Sequence, residues 1–345
     1  MNKVEGQNEI FDLIKIKYKT QGTISDKEIY DILINYGFTK EEKQITKRKN
    51  LLDLKGETIE RGLIIDDENI SFVPFASYDA SNEELETAIK MYIPVDAKHL
   101  KGTYDYISKK NKENDIKSNS KARNRVASDD IVVRVFDVKS TENIRDLVEK
   151  SNLKDIIKFS NPFFAHDELG IGYAMDGLNT SFNDELSKLI TSYINYTGNI
   201  DDINRDGFKD FLKKEKTESY RENPNNNLFY PESNRIRNLV LMSMDEEFNY
   251  TEMMKYATFM QSSKDELKRM NITDALTLVF NKLCENNNLD DVINMMGNID
   301  HLKESDFGSP SLYMLSKTYL TGELALDYLS GIDREEVKKN SAKHI

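Results

Sequence analysis

The residues of this chain best suited to chemistry are cations. Lys90, Lys117, Lys121, Arg123, Arg125 and Arg134 flank or occupy the two best strand signals of the middle third, KMYIPV and IVVRVF. Such a set suits an oxyanion. Guanidinium groups grip phosphate bidentately, and a lysine crowded by other cations gives up its proton near neutrality and can act as a base. Arg134 is the sharpest member. Strand alternation puts Val133 and Val135 on one face and Arg134 with Val132 and Phe136 on the other. A cation on an otherwise apolar face needs an anionic partner, either an internal carboxylate or a ligand. The stretch from Lys98 to Arg125 is basic within an acidic protein, and taken alone it reads as a solvated loop. Combined with Arg134, it tilts the reading towards an oxyanion site.

Other chemistries find little support. The four histidines, His99, His166, His301 and His344, never stand three or four residues apart, and no HExxH or EF-hand pattern occurs. The GxG of GIGYAMDG lacks a correctly placed third glycine and a following helix, so Gly170 and Gly172 read as turn and close-packing residues. There is no GxxxxGK[ST] and no serine elbow; no metal and no cofactor are expected. The single cysteine, Cys284, excludes an internal disulfide. A net charge of −12 opposes wholesale binding to nucleic acid or anionic membrane. No run of eighteen apolar residues is present, and the first twenty residues do not read as a signal peptide. The expected location is the cytoplasm, with a secretion route that needs no cleavable signal as the alternative.

At 345 residues, two or three units are expected. Residues 1–75 read as a small helical module. It has one helix in NEIFDLIKIKYKT, a second opened by the capping box Ser25–Glu28 and stopped at Gly37, and a hairpin around Asp66–Asn69. In residues 76–240, ELETAIKMYIPVD passes from helix to a strand centred on Tyr92, Ile93 and Val95, and HLKGTYDYISKKNK follows as a helix. IVVRVFDV is the strongest strand signal, STENIRDLVEKS a capped helix, IIKFSNPFF and GIGYAM short strands, and NDELSKLITSYINYTG a helix. The connections are too short for parallel crossovers, so the expected class is α+β, a central mixed or antiparallel sheet with flanking helices. Residues 241–345 carry helical apolar stripes, their methionines serving as adaptable core filler.

Two of these segments resemble a known family. The pattern from Lys117 or Lys121 through Arg125 to Val135 and the following helix, together with Pro162-Phe163, Gly170 to Ala174 and Ser181-Phe182, is similar to phosphothreonine lyases. More closely, it resembles the HopA-type type III effector family, whose relatives occur in clusters making lanthipeptide-like dehydrated peptides. The likeness covers roughly residues 80 to 240. It implies β-elimination of phosphate from phosphoserine or phosphothreonine in a protein or precursor peptide; a phosphopeptide-binding or adaptor protein of the same fold is the alternative. On that resemblance the base is Lys117, with Lys121 as alternative, and the phosphate-binding arginine is Arg125, with Arg123 as alternative. Lys90 matches a lysine two residues before the acid, and Arg235 and Arg237 match arginines that close over the phosphate. Tyr92 stands where the family has its acidic histidine, and a cationic site would lower its pKa enough to let it donate. Asp184, Glu185 and Leu186 stand where many members carry an arginine. The implied partners are a phosphorylated protein or peptide and, on the helical C-terminal region, a kinase or other protein.

Overall fold

A computed structural model of the protein describes residues 2–38, 72–76, 78–96, 98–123, 129–177, 179–230 and 232–332. For 72–76, 123 and 232 it describes the backbone alone. The chain forms two compact units, 1–208 with 243–258, and 209–242 with 259–345.

The first unit is α+β. Its sheet runs β1 (Phe72–Ala76), β3 (Ser118–Arg123), β4 (Ile131–Val135), β2 (Ile89–Tyr92), β6 (Gly172–Met175), β5 (Ala165–His166), and every neighbouring pair is antiparallel. The register sorts the side chains by face. Ser118, Ser120 and Ala122 align with Val135, Val133 and Ile131, and these with Ile89, Met91, Tyr173 and Met175. Helices α4 (Leu100–Glu113) and α5 (Val138–Glu149) cover this face, with Tyr104, Ile107, Ile144 and Val148 buried against it. In its polar strip Asn111 Nδ2 donates to Ser118 Oγ at 3.0 Å, and Ser120 Oγ donates to Ser118 Oγ at 3.1 Å.

The other helices of the unit hold its edges. Helix α1 (Lys3–Gln21), capped by Asn2 and closed at Gly22 in the left-handed region, pins residues 243–248. There Lys3 Nζ donates to Phe248 O at 2.8 Å and Gln7 Nε2 to Ser243 O at 3.0 Å. Helix α2 (Asp26–Asn35) starts on the expected Ser25–Glu28 capping box and packs along α6 (Phe182–Thr197), whose N-cap is Ser181. A single turn, α3 (Asn82–Glu86), enters β2.

The second unit is helical throughout its described residues. It takes most of α7 (Arg205–Glu222), then α8 (Glu232–Ser243), the end of α9 (Tyr250–Leu267) and α10 (Ile272–Cys284). After these come α11 (Leu289–Gly297), α12 (Glu304–Phe307), α13 (Pro310–Tyr319) and α14 (Gly322–Ser330). Met242, Met260, Met296 and Met314 are buried in it, as filler should be.

Three expectations change. The basic run KSNSKAR is not a loop but β3, in the interior of the sheet order. Its alternation of small Ser118, Ser120 and Ala122 with Asn119 and Lys121 is a two-residue period that lets helix α4 approach one face while the cations take the other. The strand expected at Tyr92–Val95 lies earlier, at Ile89–Tyr92, with Val95 making an isolated bridge to Ile157. The apolar run expected to end a separate hairpin is β1, paired with β3 in the main sheet; the hairpin's first arm and turn lie outside the described residues.

Candidate functional site

The face opposite α4 and α5 collects the charge. In register across it, Asn119 meets Arg134 and Arg134 meets Lys90, while in the next row Lys121 meets Val132 and Val132 meets Tyr92. Thus Lys90, Lys121 and Arg134, from three strands, share one face. Their common neighbour is Asp176, which follows β6 and has Ala174 two residues before it on the same side. Asp176 Oδ2 pairs with Lys90 Nζ and lies 3.3 Å from Arg134 Nη2, while Oδ1 accepts the Phe182 N–H at 3.0 Å. Lys90 and Asp176 are buried, 5% and 4% exposed, whereas the Arg134 side chain keeps 27% exposure. Among the described residues, Nε and Nη1 of Arg134 have no partner.

Beside Arg134 opens a cleft of roughly 350 Å³, lined by Tyr30 of α2, Asp176, Asn179, Thr180, Ser181 and Asp184. Ser181 caps α6, so the positive end of a 16-residue helix opens at the cleft wall. Half-buried Lys121 has its pKa pushed down to about 8, first by burial and then by Lys90 and Arg134, with Asp176 and Asp129 opposing. Lys90, Lys121 and Arg134 thus stand with Asp176 and Asp129, while Asp184 on the cleft wall is paired with Lys188 at 2.7 Å.

The remaining candidates fall elsewhere. Lys117 precedes β3 and is exposed, its ammonium 5.0 Å from the centre of the Tyr78 ring. Arg125 lies outside the described residues, and Arg123 is placed only by its backbone, opposite Phe72. Arg235 and Arg237 belong to α8 of the helical unit, where Arg235 is buried with its guanidinium 4.8 Å from the Phe229 ring centre.

Tyr92 needs correction as a proton donor of lowered pKa. Its ring is buried and stacked on Phe164, with centroids 4.0 Å apart. Burial, then the negative charge of Asp176, raises its pKa well above the ordinary phenol value, and Arg134 opposes this only weakly. Neither His99 nor His166 replaces it. His99 precedes α4 at 3.9 Å from Asp96. His166 stacks on Phe159 and shares a 2.9 Å hydrogen bond with Ser160, and burial, then Lys3, pushes its pKa down to about 3.

Residues 161–182 build one wall of this site. Gly170 turns the chain at a φ of +88°, within a loop organised by Asp167, which accepts the Leu169 and Ile171 N–H groups at 3.0 Å. Gly172 leaves space that Phe164 needs: a Cβ there would stand 2.7 Å from Ser160 Oγ and 2.8 Å from the Phe164 ring. The stack on Tyr92 therefore depends on that glycine. The chain then delivers Asp176 and the Ser181 cap. Asp176 is the member of this cluster that sequence reasoning missed; its position just after a strand and six residues before a capped helix was the available signal. Among the described residues no cluster of three or more His, Cys, Asp or Glu could hold a metal ion, and no helix is long and apolar enough to cross a membrane.

No family model matches the chain, and no curated protein is similar to it. Among solved structures, the effector protein from Pseudomonas syringae pv. syringae strain 61 aligns over 61% of this chain and 94% of its own, at 12% identity and a TM-score of 0.35. A superposition that loose carries neither an activity nor a fold from one chain to the other.

Proposed function

We propose that the cationic sheet face holds a phosphorylated serine or threonine side chain of a protein or peptide. The observation that carries this reading is the convergence of Lys90, Lys121 and Arg134 on one face, with Arg134 N–H groups that have no partner among the described residues beside an open cleft. Fixed donors around a doubly charged group, at a helix N-terminus, are what phosphate recognition requires.

A second reading, β-elimination as in phosphothreonine lyases, is favoured by the Lys121 pKa of about 8. The neutral amine would take the α-proton, the C–H electrons would form the Cα=Cβ bond, and the Cβ–O bond would break with its electrons leaving on phosphate. Arg134 would stabilise the departing charge, and the proton on Lys121 would pass to the phosphate, giving a dehydroamino acid and hydrogen phosphate. The raised pKa of Tyr92 makes the phenol a poor donor, so that step would rest on Lys121 for both proton transfers, and binding without turnover is the reading the geometry supports best.

The two are separated by mass spectrometry of a phosphothreonine peptide incubated with the protein, alongside a calorimetric binding titration. Binding with the peptide mass unchanged supports recognition, while loss of the mass of phosphoric acid supports the lyase. Equal affinity for phosphorylated and unphosphorylated peptides would overturn both.

A further inference from the structure

Asp176 meets both Lys90 and Arg134 within the cationic face, and its charge opposes the proposed ligand's. Its two oxygens are used differently. Oδ1 is tied to the first N–H of α6, which fixes the carboxylate against a rigid element. Oδ2 faces both Lys90 and one edge of Arg134. A carboxylate held this way can do two things for a ligand bound by its neighbours. It neutralises a lysine too buried to be solvated, and it anchors a guanidinium by one nitrogen so that the others keep a fixed direction. The burial order agrees: Lys90 and Asp176 are inside, whereas Arg134 and Lys121 are the cations with side-chain surface left.

We infer that Asp176 is the positioning residue of this site: it discharges Lys90 and aims Arg134, leaving Arg134 and Lys121 as the pair that meets the anion. This rests on the proposed phosphate recognition and divides its cations into one internal and two ligand-facing members. It also accounts for a buried acid within a site meant for an anion. Without it, Lys90 would be an uncompensated charge in the sheet and Arg134 would be free to fold away.

The test uses a pair of substitutions that leaves the net charge of the face unchanged. Lys90→Met and Asp176→Asn together remove one positive and one negative charge, so long-range attraction for an anion stays as it was and the anchoring of Arg134 is lost. Full-length wild type, Asp176→Asn, Lys90→Met, the double variant and Arg134→Gln are titrated calorimetrically with a phosphothreonine peptide, and their thermal unfolding is recorded. Asp176→Asn alone strands buried Lys90 and should unfold earliest. The double variant should recover most of that loss yet bind the phosphopeptide at least tenfold more weakly than wild type. A merely structural Asp176 would give recovered stability with recovered affinity. The inference is overturned if the double variant binds within twofold of wild type while Arg134→Gln loses binding. If wild type does not prefer the phosphorylated peptide, or Arg134→Gln binds as wild type does, phosphate recognition itself falls and the inference falls with it.

Discussion

Replacing Lys121 with methionine should move stability and ligand affinity in opposite directions. The folded state holds the Lys121 pKa at about 8 against the ordinary 10.5, mainly through burial and secondarily through Lys90 and Arg134. A lysine whose folded pKa is depressed binds its proton more tightly in the unfolded chain. The folded state is therefore penalised at every pH below about 8, and the penalty fades as pH rises towards 10.5. The fall from 10.5 to about 8 is worth about 3 kcal/mol at full burial. Solvent still reaches this half-buried side chain, so about 1–2 kcal/mol is the working figure. Lys121→Met keeps the stem's packing and removes the charge. It should raise the melting temperature at pH 7 by roughly 2–8 °C, with the gain shrinking towards pH 10. The same change removes a charged hydrogen bond to phosphate worth about 1.5–3 kcal/mol, so phosphopeptide affinity at pH 7 should drop roughly ten- to a hundredfold. Wild-type affinity should also weaken above about pH 8 as Lys121 deprotonates, and the variant's should not. The phosphate itself stays dianionic there, its second pKa being about 6. Scanning fluorimetry from pH 7 to 10 and calorimetric titration of a phosphothreonine peptide read both effects. A variant less stable at pH 7, or one that binds as tightly as wild type, would refute the argument.

Three further substitutions probe the rest of the site. Lys117→Ala removes an exposed ammonium that sits over the Tyr78 ring, and phosphopeptide affinity by calorimetry should stay within about threefold of wild type. Tyr92→Phe keeps the stack on Phe164 and deletes a hydroxyl whose pKa is raised, so any elimination measured by mass spectrometry should persist within about fivefold; a hundredfold loss would restore the phenol as the acid. Gly172→Ala brings a methyl within 2.8 Å of Ser160 and Phe164 and should lower the urea midpoint by the equivalent of about 1–3 kcal/mol, with the Tyr92 stack displaced.

Much of the architecture was legible because it depends on local chemistry. The Ser25–Glu28 box opens α2, the β-branched run IVVRV makes β4, and the period-3.6 stripes beyond residue 240 make helices, each specified within a dozen neighbouring residues. Alternation along IVVRVF also placed Arg134 on its own face and required an anionic partner for it. The identity of that partner was out of reach. Asp176 lies 42 residues away and joins Arg134 only through the pairing of β2 with both β4 and β6.

The same holds for β3. SNSKAR has almost no apolar content, and it becomes a strand because β1 and β4 supply hydrogen-bond partners on either side and α4 accepts its small residues. Lys121 carries its depressed pKa for a tertiary reason as well. Lys117 and Lys121 sit in the same basic run, four residues apart, but sheet pairing buries Lys121 near Lys90 and Arg134 and leaves Lys117 at the strand's exposed start. Tyr92 shows the converse. Sequence reasoning gave it cationic neighbours, and the fold put it under Phe164 with Asp176 close by, where desolvation outweighs any help from Arg134. Sequence alone therefore determined which residues form helices and strands and which carry charge, because backbone propensity and side-chain period are short-range properties. Which charges meet, and which of them remain in water, was decided by strand register, since an antiparallel sheet brings together residues that the chain keeps tens of positions apart.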